Sequence, residues 1–310
     1  MAFKHSLSIM SARFSTVYKL FLFLLVLAIV AAAVSVGVLL PTLSGFIDQV
    51  EELHVLKSIG DYAKTIFGDQ PEAQEAAYAH LVEVYDAFLG IIDGNSLMIN
   101  LAIVLAILLY FVFVLFMMWG MYCVSDIMHN YMSSNSKFGF ASNLVVNFVR
   151  AMRYASLYTL LSLVYYAFGV FIVWLLFLTV YKGSALVGCM MTLLVFFLLT
   201  SVRSSLFAGW APAMVADDMT ARAALAESCK MAKERFGSLM SWYFAYYVLV
   251  FAATILLGVA TFGIGSVFVI IVSLLHTRIF DMVVYYRYKG RRYYVDVFNV
   301  IDPTIKQRTI

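Results

Sequence analysis

The 310-residue sequence predicts an all-α integral membrane protein: six transmembrane helices built as three helix-hairpin repeats, with an external helical cap and cytoplasmic interfacial helices. Three observations predict it. Hydrophobic residues make up 64% of the chain and charged residues 13%, with mean hydropathy +0.92, whereas soluble domains hold roughly 45–50% apolar and 25% charged residues. Six apolar runs reach the ~20 residues needed to cross about 30 Å of hydrocarbon. A basic-aromatic tetrapeptide recurs before alternate runs. An ordinary soluble enzyme is excluded, and with 4 Pro and no charge-rich tract long disordered segments are not expected.

The runs are Tyr18 to Leu40, Leu97 to Cys123, Ala155 to Tyr181, Ala185 to Ala208, Trp242 to Phe262 and Ile264 to Tyr286. The first continues past the small residues Ala31 to Ser35 without a polar cleavage region, so it reads as a retained anchor. Lys and Arg set the orientation because positive residues stay cytoplasmic. The N-terminus, the second and fourth connections and the C-terminus, with the span ends beside them, hold 18 of the 21. Lys57, Lys64 and Lys182 remain for the other face. A multi-pass protein of the bacterial cytoplasmic membrane is expected, with both termini cytoplasmic and residues 41–96 external. The organisation is a single membrane domain over 1–310, with the 41–96 hairpin inserted between spans one and two and a basic-aromatic tail over 287–310.

Three copies of one unit, a short amphipathic helix leading into a hairpin, are marked by Arg13-Phe14-Ser15-Thr16, Arg153-Tyr154-Ala155-Ser156 and Arg235-Phe236-Gly237-Ser238. Ser6 and Ser228 also match, seven residues upstream. Arg13, Arg153 and Arg235 read as anchors at the headgroup level, each beside an aromatic residue suited to the interface. In the third copy, apolar or small residues at 221, 224, 225, 228, 231, 232 and 236 follow helical spacing. Lys230 and Lys233 take the other face and reach toward anionic lipid. Asp217 and Asp218 stand where a helix start accepts negative charge.

The stretch Pro212 to Phe236 combines a Pro, an acidic pair, Ala224-Leu225 followed by Ser228, and a basic-aromatic helix end before a hairpin. In this it resembles bacterial six-span membrane proteins of the glycerophosphodiester phosphodiesterase membrane-domain and YciC-like type. The resemblance covers about 25 residues closely and the rest by span pattern. It implies the architecture; no phosphodiesterase catalytic domain accompanies it, so it does not imply that reaction.

The connection over 41–96 holds ten acidic residues and two amphipathic stripes. One comprises Phe46, Val50, Leu53, Ile59, Ala63, Ile66 and Phe67; the other comprises Tyr78, Leu81, Val82, Tyr85, Phe88, Leu89 and Ile92. Gly68-Asp69-Gln70-Pro71 predicts the turn between them. Glu51 with His54, and His80 with Glu83, each set a carboxylate and an imidazole on adjacent turns, as helical metal sites do. Such pairs arise often by chance, and no metal is assigned.

At membrane depth a charge costs about 2.5–3.5 kcal/mol at a helix centre, so such residues are the ligand-binding candidates. They are Arg203 in span four and His276, Arg278 and Asp281 in span six, with Arg278 and Asp281 spaced to pair on one face. Spans one, two, three and five carry no central charge, which disfavours ion-coupled transport. No catalytic residues and no cofactor are assigned, since no nucleophilic triad, phosphate loop or zinc motif occurs. The tail's Arg287, Lys289, Arg291 and Arg292 interleave with tyrosines and suit headgroup anchoring. Cys123, Cys189 and Cys229 read as small buried hydrophobes. The net charge of +3 gives nucleic acid no electrostatic footprint.

The residues point to a non-enzymatic accessory or assembly factor. Its expected partners are membrane lipids and another membrane protein or a second copy of the chain. The alternative is a transporter or flippase of an anionic amphiphile, which requires Arg203, His276, Arg278 and Asp281 to converge on one cavity.

Overall fold

The computed structural model describes residues 2–66, 71–136, 139–180, 185–296 and 298–304. It is helical apart from one small hairpin. The elements are α1 (Ala2–Ala12), α2 (Ser15–Glu52), α3 (Val55–Ile66), α4 (Pro71–Gly94), α5 (Ser96–Ser134), α6 (Phe140–Val146), α7 (Phe148–Thr179) and α8 (Ala185–Phe207). They continue with α9 (Trp210–Ala216), α10 (Ala221–Ala260), α11 (Ile264–Tyr288), β1 (Tyr293–Tyr294) and β2 (Val300–Ile301). Among the described residues, six helical stretches, opening at Ser15, Ser96, Phe148, Val187, Ala221 and Ile264, are long and apolar enough to cross a membrane. The chain divides into two compact units, Leu27–Phe113 and the remainder.

In the Leu27–Phe113 unit the helix of the first span passes through Pro41 instead of ending at Leu40. Proline removes one backbone donor but does not stop an apolar helix whose neighbours are satisfied in the same turn. Thr42 donates from its hydroxyl to the Val38 carbonyl at 2.8 Å. The helix stops at Glu52, and His54 takes a left-handed φ of 48° before α3 begins. The stripe expected as one helix from Phe46 is therefore split between α2 and α3. Ser58 on α3 meets His80 on α4 at 3.4 Å, and the Tyr62 and Tyr78 rings lie 5.9 Å apart. An apolar hollow of about 300 Å³ between the two helices is lined by Val55, Ile59, Leu81, Val82, Tyr85 and Phe88, among others. The turn expected at Gly68-Asp69-Gln70 lies outside the described residues, as do Phe67 and Lys182.

The other unit packs α7 against α8, α8 against α10, α10 against α11, α9 against α10, and α1 along α11. Phe23 sits on Gly120, where any Cβ would collide with its ring. The α10–α11 connection turns at Gly263, whose φ of 94° suits glycine. Its walls approach closely enough that Gly258 meets the Ser266 side chain, which donates to the Thr254 carbonyl at 2.8 Å. Around Trp210, fully buried, stand Tyr154, Tyr158 and Phe207 with ring centroids 5.3, 6.0 and 5.3 Å away. The Trp210 indole donates to the Ala221 carbonyl at 2.8 Å, fixing α9 to the first turn of α10. Ser228 donates to the Leu206 carbonyl at 2.6 Å and accepts from Gly209 N at 3.0 Å, clamping the α8–α9 turn.

Helix breaks fall at Arg13-Phe14, at Asn147 and at Arg235, whose φ of −128° interrupts α10. Arg153, matched in sequence to Arg13 and Arg235, lies inside continuous α7, six residues beyond the break. Asn147 and Asn143 both donate amide hydrogens to Asp126, at 3.1 and 2.5 Å, so local side-chain bonding places that break. Cys123 is buried, as expected of a small hydrophobe, but Cys189 and Cys229 lie on the surface.

His5 joins α1 to β1, its Nδ1 2.7 Å from the Tyr293 hydroxyl. Burial, reinforced by Arg287 and Lys4, holds its pKa below the ordinary 6.5. A depressed folded-state pKa means that this contribution to stability is present above pH 6.5 and lost as pH falls through the lowered value. Amide protection in α1, corrected for the pH dependence of intrinsic exchange, is expected to fall as pH drops below 6.5, and His5→Gln is expected to abolish that fall.

Candidate functional site

The four candidate residues at membrane depth fall into three places, beginning with the centre of α11. Arg278 and Asp281 pair as their spacing predicts, with Arg278 Nη1 3.4 Å from Asp281 Oδ2. Both are buried, at 7% and 3% exposure. Tyr243 of α10 donates a short hydrogen bond to Asp281 Oδ1. Arg278 Nη2 lies 3.5 Å from the Met118 sulfur, and its guanidinium carbon lies 5.9 Å from the Tyr158 ring centre. One carboxylate thus receives a cation and a phenol, an arrangement that neutralises a buried charge without solvent.

His276 lies two residues before Arg278 on α11, about 200° round the helix, and so faces elsewhere. Its Nε2 is 2.9 Å from Ser6 Oγ, and Phe3 and Tyr246 pack on the ring at 5.3 and 5.2 Å. Ser6 donates its own hydroxyl hydrogen to the Phe3 carbonyl at 2.8 Å, which makes the His276 Nε2–H the donor between the two. A serine–histidine pair invites a catalytic reading. Here the serine is completely buried, its proton points away from the imidazole, and among the described residues nothing orients Nδ1. The pair ties α1 to α11.

Arg203 occupies the third place, on α8. It donates to the Tyr166 hydroxyl, and its guanidinium carbon lies 4.9 Å from that ring's centre. Beside it runs an apolar groove of about 270 Å³ between α7 and α8, lined by Tyr165, Gly169, Val173, Val195, Phe196 and Leu199, among others. The four candidate residues therefore do not converge on one cavity. Arg278 and Asp281 close on each other, His276 is engaged by α1, and Arg203 alone of the four lines this groove.

Comparison with known protein families, curated proteins and solved structures finds no match.

The acidic pair does not start a helix. Thr220 caps α10, accepting from Ala223 N at 3.4 Å, while Asp217 closes α9 and Asp218 adopts a left-handed φ of 56°. The two acids diverge because that turn separates them. Asp218 binds Arg150, and Asp217 accepts from the Tyr285 hydroxyl at 2.6 Å and pairs with Arg291 and, at 3.7 Å, with Lys289. Lys289 also bonds Glu227 at 2.6 Å, a hydrogen bond that raises its pKa. Arg292 meets Asp302 at 2.5 Å. Three of the basic residues expected to reach for headgroups are thus engaged by carboxylates of the same chain.

Among the expected anchors, Arg13 stacks 4.1 Å from the Tyr131 ring centre and donates to the Ser136 carbonyl at 3.2 Å. Arg235 lies 5.7 Å from the Tyr288 ring centre, and Arg153, Lys230 and Lys233 are exposed. His80 and Glu83 lie 3.9 Å apart. The metal pairs Glu51/His54 and His80/Glu83 do not assemble: among the described residues no three His, Cys, Asp or Glu side chains gather.

The sequence singled out neither Tyr243 nor Tyr166, and it marked Ser6 only as a repeat position and not as the partner of His276. A tyrosine within an apolar run carried the available signal, since a buried phenol seeks a hydrogen-bond partner.

Proposed function

We propose that the chain is a non-enzymatic integral membrane protein that binds lipid or another membrane protein and serves as an accessory or assembly factor. The observation that carries this reading is the closure of the polar groups of α11 on the protein itself: Arg278 with Asp281 and Tyr243, His276 with Ser6. A carrier that moves a polar substrate needs such groups aimed into a passage. The transporter or flippase alternative required four convergent residues, and their dispersal favours the accessory reading.

In the same proposal, both termini lie in the cytoplasm of a bacterial cell and residues 41–96 form a cap outside its cytoplasmic membrane. α1, α6 and the first turns of α10 lie in the inner interface ahead of three hairpins. The breaks at Arg13, Asn147 and Arg235 support that division. The exposed apolar side chains of α3 and α4, Leu56, Ile59, Tyr78 and Tyr85 among them, support a cap that rests on lipid or on a partner.

Native mass spectrometry of the protein, extracted gently from its own membrane, tests the reading. A stoichiometric protein partner or a specifically retained lipid is the expected result. Release of the bare chain with neither would overturn it.

A further inference from the structure

We infer that the groove between α7 and α8 is a binding site for one acyl chain of an anionic phospholipid, whose phosphate is held by Arg203. The inference rests on the lipid-binding reading above and deepens it by naming the ligand class and the residue that selects it.

Arg203 differs from the other intramembrane arginine in what surrounds it. Arg278 has Asp281; among the described residues no carboxylate lies within ion-pairing distance of Arg203. Its hydrogen bond goes to a neutral phenol, Tyr166, and its Nε is buried with no partner among the described residues. A guanidinium carries five donors and stays protonated, so in an apolar setting it calls for an anion with several acceptor oxygens. Phosphate meets that requirement bidentately.

The groove supplies the rest of the amphiphile's shape. From Arg203 it follows α8 back to Thr192, eleven residues or about 16 Å at 1.5 Å per residue. That is about half of the ~30 Å hydrocarbon thickness, the depth of one leaflet. The cation stands at the end nearer the α8 C-terminus, where a headgroup would sit, and the remaining length is lined almost entirely by carbon. Its walls are fixed. Tyr165 donates to the Leu199 carbonyl at 2.6 Å, and Gly169, where a Cβ would lie 3.3 Å from Leu199 Cδ1, lets the helices approach at the floor. Charge at one end, an apolar channel of leaflet depth and a rigid frame match a phospholipid with a net negative headgroup better than a zwitterionic one.

The test uses the full chain purified in detergent and incubated with equimolar phosphatidylglycerol, phosphatidylcholine and palmitate of matched chain length, with adducts read by native mass spectrometry. The wild type is expected to hold one phosphatidylglycerol at least tenfold in preference to phosphatidylcholine. R203A is expected to lose the preference while still binding either lipid weakly. Val170→Trp, at an exposed position lining the groove, is expected to reduce binding of both lipids with Arg203 intact. An unchanged elution volume for each variant establishes that it is folded. Equal binding of the two phospholipids by wild type, or a preference that survives R203A, overturns the inference. Palmitate occupying the site in place of phosphatidylglycerol overturns the phospholipid assignment. A stoichiometric protein partner together with no anionic preference would leave the accessory reading standing and remove this one alone.

Discussion

Asp281→Ala is expected to destabilise the protein by about 3–5 kcal/mol, because it leaves the Arg278 guanidinium buried without its counter-charge. Arg278 is 7% exposed, and its other neighbours include the Met118 sulfur, the Tyr158 ring and the Tyr154 phenol, none of which replaces a carboxylate. The same substitution strips Tyr243 of its acceptor, leaving a second buried polar group unmatched. Unfolding in micelles titrated with a denaturing detergent measures the loss. Arg278→Met combined with Asp281→Leu removes both charges and keeps the volume, so it is expected to recover most of the stability lost in the single variant. If the double variant is as unstable as Asp281→Ala alone, the loss comes from packing and not from an orphaned charge.

Trp210→Ala is expected to cost about 3–5 kcal/mol, the range for truncating a large buried aromatic side chain. Trp210 is fully buried, its ring is surrounded by Tyr154, Tyr158 and Phe207, and its indole N–H bonds the Ala221 carbonyl. Truncation leaves a cavity and frees the α9–α10 connection at once. Trp210→Phe keeps most of the ring and loses the hydrogen bond, so its smaller penalty, about 1–2 kcal/mol, separates the two contributions. The same micellar unfolding assay reads both. Equal losses for Phe and Ala would assign the whole effect to the hydrogen bond.

Much of the architecture was legible because the membrane imposes it. A run of ~20 apolar residues has few alternatives to a helix, and i, i+3 spacing brought Arg278 to Asp281 before any packing was known. Boundaries were less legible. Pro41 looked like an end, yet a proline inside a long apolar helix is tolerated when nothing nearby competes for the chain. The stop came after Glu52, at the left-handed His54, with no Gly or Pro to announce it. Asp217-Asp218 and Thr220 all belong to residue types that cap helices, and only the left-handed turn at Asp218 assigns the cap to Thr220. Arg153 matched its two counterparts in sequence, but the break that would have made it equivalent is set by asparagines bonding Asp126. The partners of the intramembrane groups, Tyr243 for Asp281, Ser6 for His276 and Tyr166 for Arg203, lie on other helices, and helix order and rotation are not written in a single apolar run.

Pairing of Arg278 with Asp281 and Tyr243 gives the buried charges of α11 a role in the fold and not in holding a ligand. Native mass spectrometry of the Arg278→Met, Asp281→Leu double variant, extracted from its own membrane beside the wild type, tests that assignment most directly. A folded protein that keeps the same lipid or protein partner in the same proportion is expected. A folded double variant that has lost the wild-type partner would contradict it and make the Arg278–Asp281 pair part of the binding site.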